Sequence, residues 1–163
     1  MSQLTILRFF LVLGILCLPT LFRQRPYKYW VTIHLLSAVS NHFIDNFLIS
    51  KKCLEYPVRL FPSKIKNSGV YDYLICPLFT VWFCQSTYHS NLQDILKESI
   101  LFTIPQLTIE LLAESKTNLI KFKNGWTWIH SAITVICAKL IARTFIEVWK
   151  KADNKDTFFI IKK

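Results

Sequence analysis

The stretch from Leu4 to Phe22, LTILRFFLVLGILCLPTLF, is apolar throughout except for Arg8. As a helix rising about 1.5 Å per residue it is close to 28 Å long, matching the hydrocarbon core of a bilayer. A cleaved secretory leader would need a basic stretch ahead of the run and a small-x-small site after it. Neither is present, and Leu16 stands where a lipoprotein leader has a small residue before its cysteine (here Cys17). The run is therefore expected to be an uncleaved membrane helix.

Four further apolar segments follow, divided by basic breaks rich in aromatic residues. The break RQRPYKYW leads into residues 30–50, WVTIHLLSAVSNHFIDNFLIS, which is more polar than the first run. Residues 71–88, YDYLICPLFTVWFCQSTY, begin and end on tyrosine, as expected for rings seated at bilayer interfaces. Pro77 in that segment requires neighbours to re-satisfy the carbonyl it frees. Residues 95–114 hold Pro105 and end acidic, and residues 126–149 run from tryptophan to tryptophan. Between the second and third segments, KKCLEYPVRLFPSKIKNSG is too polar to cross a bilayer core and too apolar for a solvated linker, so it is expected to lie at the interface.

The fold class expected is all-α. The chain is read as a helical integral membrane protein forming a single membrane domain, residues 1–163, with about five transmembrane helices over 4–22, 30–50, 71–88, 95–114 and 126–149. A basic tail, 150–163, follows. Three glycines and six prolines leave little material for a turn-rich β protein. No segment alternates with period two over the length of a barrel strand. Loop cations divide almost evenly between the two sides, so the positive-inside rule leaves the orientation open.

A formal charge of +10 and a pI near 9.5 suit nucleic acid or an anionic membrane surface. The stretch TNLIKFKNGWTWIH (117–130) poses the choice, because bases stack on rings as readily as rings settle into headgroups. Its flanks decide it. Lys121 and Lys123 alternate with Ile120 and Phe122 between two apolar runs, so the lysines are read as headgroup contacts and Trp128 as an interfacial anchor. The expected partner is a lipid bilayer, with a membrane-protein partner or a second copy of the chain besides, and no nucleic acid. Five cysteines include no CxxC pair, and four lie in apolar runs, so they are read as unpaired packing thiols.

One helical stripe could carry chemistry. His34, Ala38, Asn41 and Asp45 recur at i, i+4, i+7 and i+11, and polar side chains in a membrane helix turn towards the bundle or a wet cavity. Together with His42, Glu110, Lys139 and Arg143 they form a candidate polar path or interhelical network. Glu110 and Glu114 are spaced to share a proton, yet Lys139 and Arg143 on the last segment offer Glu110 an ion-pair partner, which is the favoured expectation. A metal site built on His42 and Asp45 is the weaker alternative, and no metal or cofactor is expected. There is no GxSxG, HExxH, P-loop or GxGxxG.

Three blocks, LEYPVRLFP (54–62), YDYLICP (71–77) and ESKTNLIKFKNGWTWIH (114–130), together resemble a family of small multi-pass membrane proteins of endospore-forming bacteria. The resemblance covers roughly Leu54 to Trp149. It implies four to five membrane helices with no cofactor, and it supplies no catalytic residues. It also implies that Glu55, Tyr56, Pro57, Arg59, Asp72, Glu114, Asn118 and Trp126 belong to recurring patterns. Pro57 can start a short helix that brings Glu55 near Arg59, and Asn118 can turn the chain between helices. The function expected is that of a non-enzymatic bacterial membrane protein, an accessory or interaction partner in the cell membrane, the spore inner membrane included. A small-solute or ion permease with a polar path on helices 2 and 4 is the alternative, and an intramembrane enzyme acting on lipid comes third.

Overall fold

Among the described residues five helices account for nearly all of the regular structure. The structure, a computed structural model, describes residues 3–60 and 68–161, with side chains as far as Asp153. Helix α1 (Gln3–Cys17) tightens into a 3-10 turn, Leu18–Phe22. Pro19 sits in the first turn of that element, where its missing N–H has no partner to lose. Helix α2 runs Tyr27–Ser50, α3 Cys76–Ser86, α4 Leu92–Lys116 and α5 Trp128–Ile161. The Asn91 side chain caps α4 by accepting from the Asp94 N–H at 3.0 Å. The chain beyond residue 150, expected as a tail, continues α5 instead. It contains no glycine or proline to stop the helix.

A π-turn, Tyr71–Ile75, leads into α3 and explains how Pro77 is accommodated. The wider turn carries its hydrogen bond from the Cys76 N–H back to the Tyr71 carbonyl, and Pro77 then falls in the first turn of α3. A register change in the helix thus does what neighbouring side chains were expected to do. α3 is the central element, packed against α2, α4 and α5. Its Leu78, Val81, Phe83 and Cys84 meet Trp30 and Ile33 of α2 and Ala142 and Ile146 of α5 in the main core.

The helices run up and down, as the contacts at their ends show. At one end Tyr29 and Trp30 of α2, Tyr88 after α3, and Trp149 of α5 form an aromatic cluster, with ring centroids 4.9 Å apart for Tyr29–Trp149 and 5.4 Å for Trp30–Tyr88. The Trp30 indole donates to the Gln24 carbonyl at 2.7 Å, and Lys28 pairs with Asp153. At the other end two short strands, β1 (Leu54–Glu55) and β2 (Lys121–Phe122), pair antiparallel, Leu54 opposite Phe122 and Glu55 opposite Lys121. Leu48, Leu54, Tyr56 and Ile120 form a second, smaller core beneath them.

Polarity is distributed inside-out. Lys139, Gln106, Thr103 and Ser99 are buried, while Phe43, Phe47, Leu101 and Ile141 on the bundle's helices are exposed, Ile141 by 69%. Among the described residues two helical stretches are long and apolar enough to cross a membrane, Gln3–Phe22 with a mean hydropathy of 2.2 and Trp128–Asp153 with 1.5. α2 and α4 have 24 and 25 residues, so each is about 36 Å long or slightly more. In α2 the mean hydropathy is lowered by polar residues such as His34, Asn41 and Asp45 that are at least half-buried, and in α4 mainly by Gln93, Asp94, Lys97, Glu114 and Lys116, exposed near its two ends.

α1 touches the bundle through a close approach at Gly14. A Cβ there would lie 2.3 Å from Leu74 Cδ2 and 2.6 Å from Leu74 Cγ. Gly14→Val is expected to lower stability by about 1–3 kcal/mol, the usual cost of overpacking. Thermal unfolding of the purified protein reads this directly, and an unchanged midpoint would mean that α1 does not rest on the π-turn.

A candidate binding cavity

The two strands hold together the two basic inter-helix segments. Along the second segment Ile120 is buried, Lys121 exposed, Phe122 half-buried and Lys123 exposed, the alternation expected of an extended stretch with one apolar side. The Lys123 N–H donates to the Cys53 carbonyl at 2.9 Å, and the Asn124 side chain donates to the Lys51 carbonyl at 3.3 Å. Asn124 and Gly125 both have positive φ, which turns the chain towards α5. Trp126 packs into the small core and its indole donates to Ser131 Oγ at 3.1 Å, whereas Trp128 is exposed.

Glu55 accepts an ion pair from Lys123, and that bond, with the charge behind it, holds the Glu55 carboxyl below its usual value. A depressed carboxyl contributes stability above its unfolded value and loses it as pH falls through its folded value. Glu55→Gln is therefore expected to weaken exchange protection of the Lys123 N–H at neutral pH, slightly because the pair is exposed. The difference from wild type should vanish on acidification below the carboxylate range. Hydrogen exchange of the two proteins over that range tests this, and a difference that persists in acid would rule out the ion pair as its source.

Beneath this clip lies a cavity of about 580 Å³ with mostly aliphatic walls. Three carboxyl-bearing side chains from three elements line it: Asp45 of α2, Asp72 of the π-turn and Glu110 of α4. Asp45 accepts from the Tyr56 hydroxyl at 2.6 Å. Burial, followed by the neighbouring Asp45, raises the Tyr56 hydroxyl far above its usual pKa and keeps it a donor. Glu110 accepts from the Tyr71 hydroxyl at 3.0 Å and lies within hydrogen-bonding reach of Ser131. Asp45 and Asp72 are close enough for their carboxyl groups to share a hydrogen bond. Asp72 is 3% exposed, and its Oδ2 has no hydrogen-bond partner among the described residues. Asn41, on the α2 stripe, donates to the Asp72 carbonyl at 3.2 Å and fixes the π-turn against α2.

The other expected site residues divide. Lys139 is fully buried near Glu110, but it does not pair with it. Gln106, one turn earlier on α4, reaches the ammonium first, and Thr103 Oγ1 accepts from it at 3.1 Å. Arg143 lies a turn further along α5, at the end of α3, where it donates to the Thr87 carbonyl at 3.2 Å and pairs with Glu147 at 2.9 Å. The expected ion pair of Glu110 with Lys139 or Arg143 is thus replaced by two separate networks. Glu114 is exposed and outside the cavity, which the last turn of α4 lines through Leu112, Ala113 and Lys116 instead. His34 shares the stripe of Asp45 but sits level with the main core, outside the cavity, with a buried Nδ1 that has no hydrogen-bond partner among the described residues. His42 faces another way, stacked on Tyr73 and bonded to its hydroxyl at 2.5 Å. No group of three metal-ligating side chains occurs among the described residues.

Two expected turns are made by other residues. No helix starts at Pro57, which is exposed, because the backbone of Glu55 is committed to β1 and its side chain to Lys123. Arg59 is half-buried nearby, and part of its block, residues 61–67, lies outside the described residues. Asn118 is exposed in the bend after α4, and Thr117 makes the turn. The Thr117 hydroxyl donates to the Ala113 carbonyl at 2.5 Å and accepts from the Leu119 N–H at 3.2 Å. All five cysteines are unpaired, Cys84 buried in the main core and Cys137 exposed on α5.

Sequence reasoning missed Tyr71, Thr103 and Gln106. A signal was present: Ser99, Thr103, Gln106 and Glu110 repeat the i, i+4, i+7, i+11 spacing of the α2 stripe. Fold and site together define an all-α bundle whose interior holds an acidic cavity. No protein-family model, no curated protein and no solved structure matches the chain.

Proposed function

We propose that the chain is a five-helix integral membrane protein of the cell membrane that carries out no chemistry and passes a small solute or ion through its acidic cavity. The observation that carries this is the convergence of Asp45, Asp72 and Glu110, from three elements, on one apolar-walled space. Carboxyl groups inside a bundle are costly, and where they occur they mark proton and ion pathways. The membrane setting is supported by the inside-out polarity, since in water exposed Phe43, Leu101 and Ile141 over buried lysine and glutamine would be unfavourable. It is supported further by the two stretches long and apolar enough to span.

The accessory role that sequence alone put first takes second place, because the cavity is a built interior with three carboxyl groups on its wall. The resemblance to small multi-pass proteins of endospore-forming bacteria fits either role and supports a setting in the cell or spore envelope. Purified protein in proteoliposomes tests the permease reading. Protein-dependent proton or cation flux across the vesicle wall is expected, and vesicles that stay as tight as protein-free ones would sink it.

A further inference from the structure

Resting on that reading, we infer that the cavity takes an amphiphilic organic cation, an apolar body with a single permanently charged head, and that Asp72 is its counter-charge. Four observations lead there. Among the described residues none of the three carboxyl groups has a lysine or arginine within ion-pairing distance, and the buried ammonium of Lys139 is engaged by Gln106 and Thr103. The three carboxyl groups are thus unpaired by any cation; Lys116, the one lysine on the cavity wall among the described residues, is exposed and forms no ion pair with them. Asp72 Oδ2 is a buried acceptor on the cavity wall with nothing to accept from among the described residues. The hydrogen bond that the Asp45 and Asp72 carboxyl groups share holds one proton between them and leaves one negative charge on the pair for a cation to balance.

The shape excludes a bare metal ion as the fitting occupant. Six or more oxygens would have to close round such an ion, and the carboxyl groups are too dispersed for three to meet on one point. Hydrocarbon walls and a volume of about 580 Å³ instead match a drug-sized molecule held by many apolar contacts and one or two polar ones. The rings of Tyr56, Tyr71 and Trp126 on the wall can also face a quaternary head. Access points the same way. Leu36, Leu112 and Ile141 line the cavity and are themselves exposed on the apolar surface, so a molecule dissolved in lipid can enter sideways.

The test uses full-length protein in nanodiscs with tetraphenylphosphonium as the probe and neutral triphenylphosphine oxide as the competitor. Binding is followed by titration calorimetry and by quenching of tryptophan fluorescence, to which Trp126 contributes. Saturable binding of one probe per chain is expected, weakened at least tenfold by Asp72→Asn and untouched by the neutral competitor. Equal competition by the oxide would overturn the proposal on the wild-type protein alone, whether or not the variant folds. Undiminished affinity in a folded Asp72→Asn protein would overturn Asp72 as the counter-charge. Proton flux without probe binding would leave the permease reading intact and remove this ligand class. Probe binding without any flux would do the reverse.

Discussion

Arg143→Ala is expected to lower the unfolding free energy by about 2 kcal/mol, the cost of losing the charge-assisted hydrogen bonds of a buried guanidinium, since its partner Glu147 is exposed and keeps Lys150. Arg143 is 6% exposed, and its guanidinium fork ends in three groups: the Thr87 carbonyl at 3.2 Å, the Tyr88 carbonyl at 3.4 Å and Glu147 at 2.9 Å. The two carbonyls lie just past the C-terminus of α3, where backbone acceptors lack helical partners and carry partial negative charge. Lys150 reaches the Tyr88 carbonyl at 3.3 Å and cannot replace the fork, because it offers a single ammonium from one side. Removing Arg143 strips the end of the central helix of its cap and leaves Glu147 with Lys150 alone, at 3.6 Å. Arg143→Lys should recover the charge and only part of the loss. Unfolding of the purified protein in detergent by a titrated denaturant reads both variants. A loss below about 1 kcal/mol for Arg143→Ala would class the network with exposed ion pairs.

Five apolar segments were legible in the sequence because long runs bounded by basic, aromatic breaks need no knowledge of packing to be recognised. All five became helices within a few residues of the expected bounds, apart from α5, whose continuation past residue 150 depends on the absence of a stop signal rather than on hydrophobicity. Partners were less legible than segments. A Glu110–Lys139 pair is reasonable from composition, but which side chain meets the ammonium depends on the rotational phase of α4 against α5. One turn along the helix substitutes Gln106 for Glu110. The β1–β2 clip was hidden for a different reason. Two residues in each strand carry no periodicity, and the pairing joins positions 54 and 122, with the π-turn, α3 and α4 between them in the chain.

Asp72 is the instructive case. Its spacing relates it to no other charge, and only the resemblance drew attention to it. What makes it important is the π-turn, which adds a residue to the helix and rotates Asp72 towards Asp45. Such a turn has no sequence signature beyond the proline that follows it, although π-turns are frequent at functional sites.

Asp45→Asn and Glu110→Gln are each expected to bring flux in proteoliposomes down to the protein-free background while leaving the fold in place. A side-chain amide still accepts a hydrogen bond through its carbonyl oxygen. Asp45→Asn therefore keeps the bond from the Tyr56 hydroxyl, now at 2.6 Å, and Glu110→Gln keeps the one from Tyr71, now at 3.0 Å. Shape and packing are retained, and the ability to take up a proton or balance a cation is lost. Glu114→Gln is the matched control. It makes the same chemical change one turn along α4, at an exposed position outside the cavity, and should leave flux at the wild-type level. Equal thermal midpoints for the three variants would separate a transport defect from a folding defect. Wild-type flux in both Asp45→Asn and Glu110→Gln would mean that whatever crosses does not pass the carboxyl groups. Loss of flux in Glu114→Gln alone would move the path to the outer face of α4. A defect confined to the two buried positions is the pattern that an interior acidic route produces, because the same amide change at Glu114 alters the charge of α4 equally and differs only in lying outside the cavity.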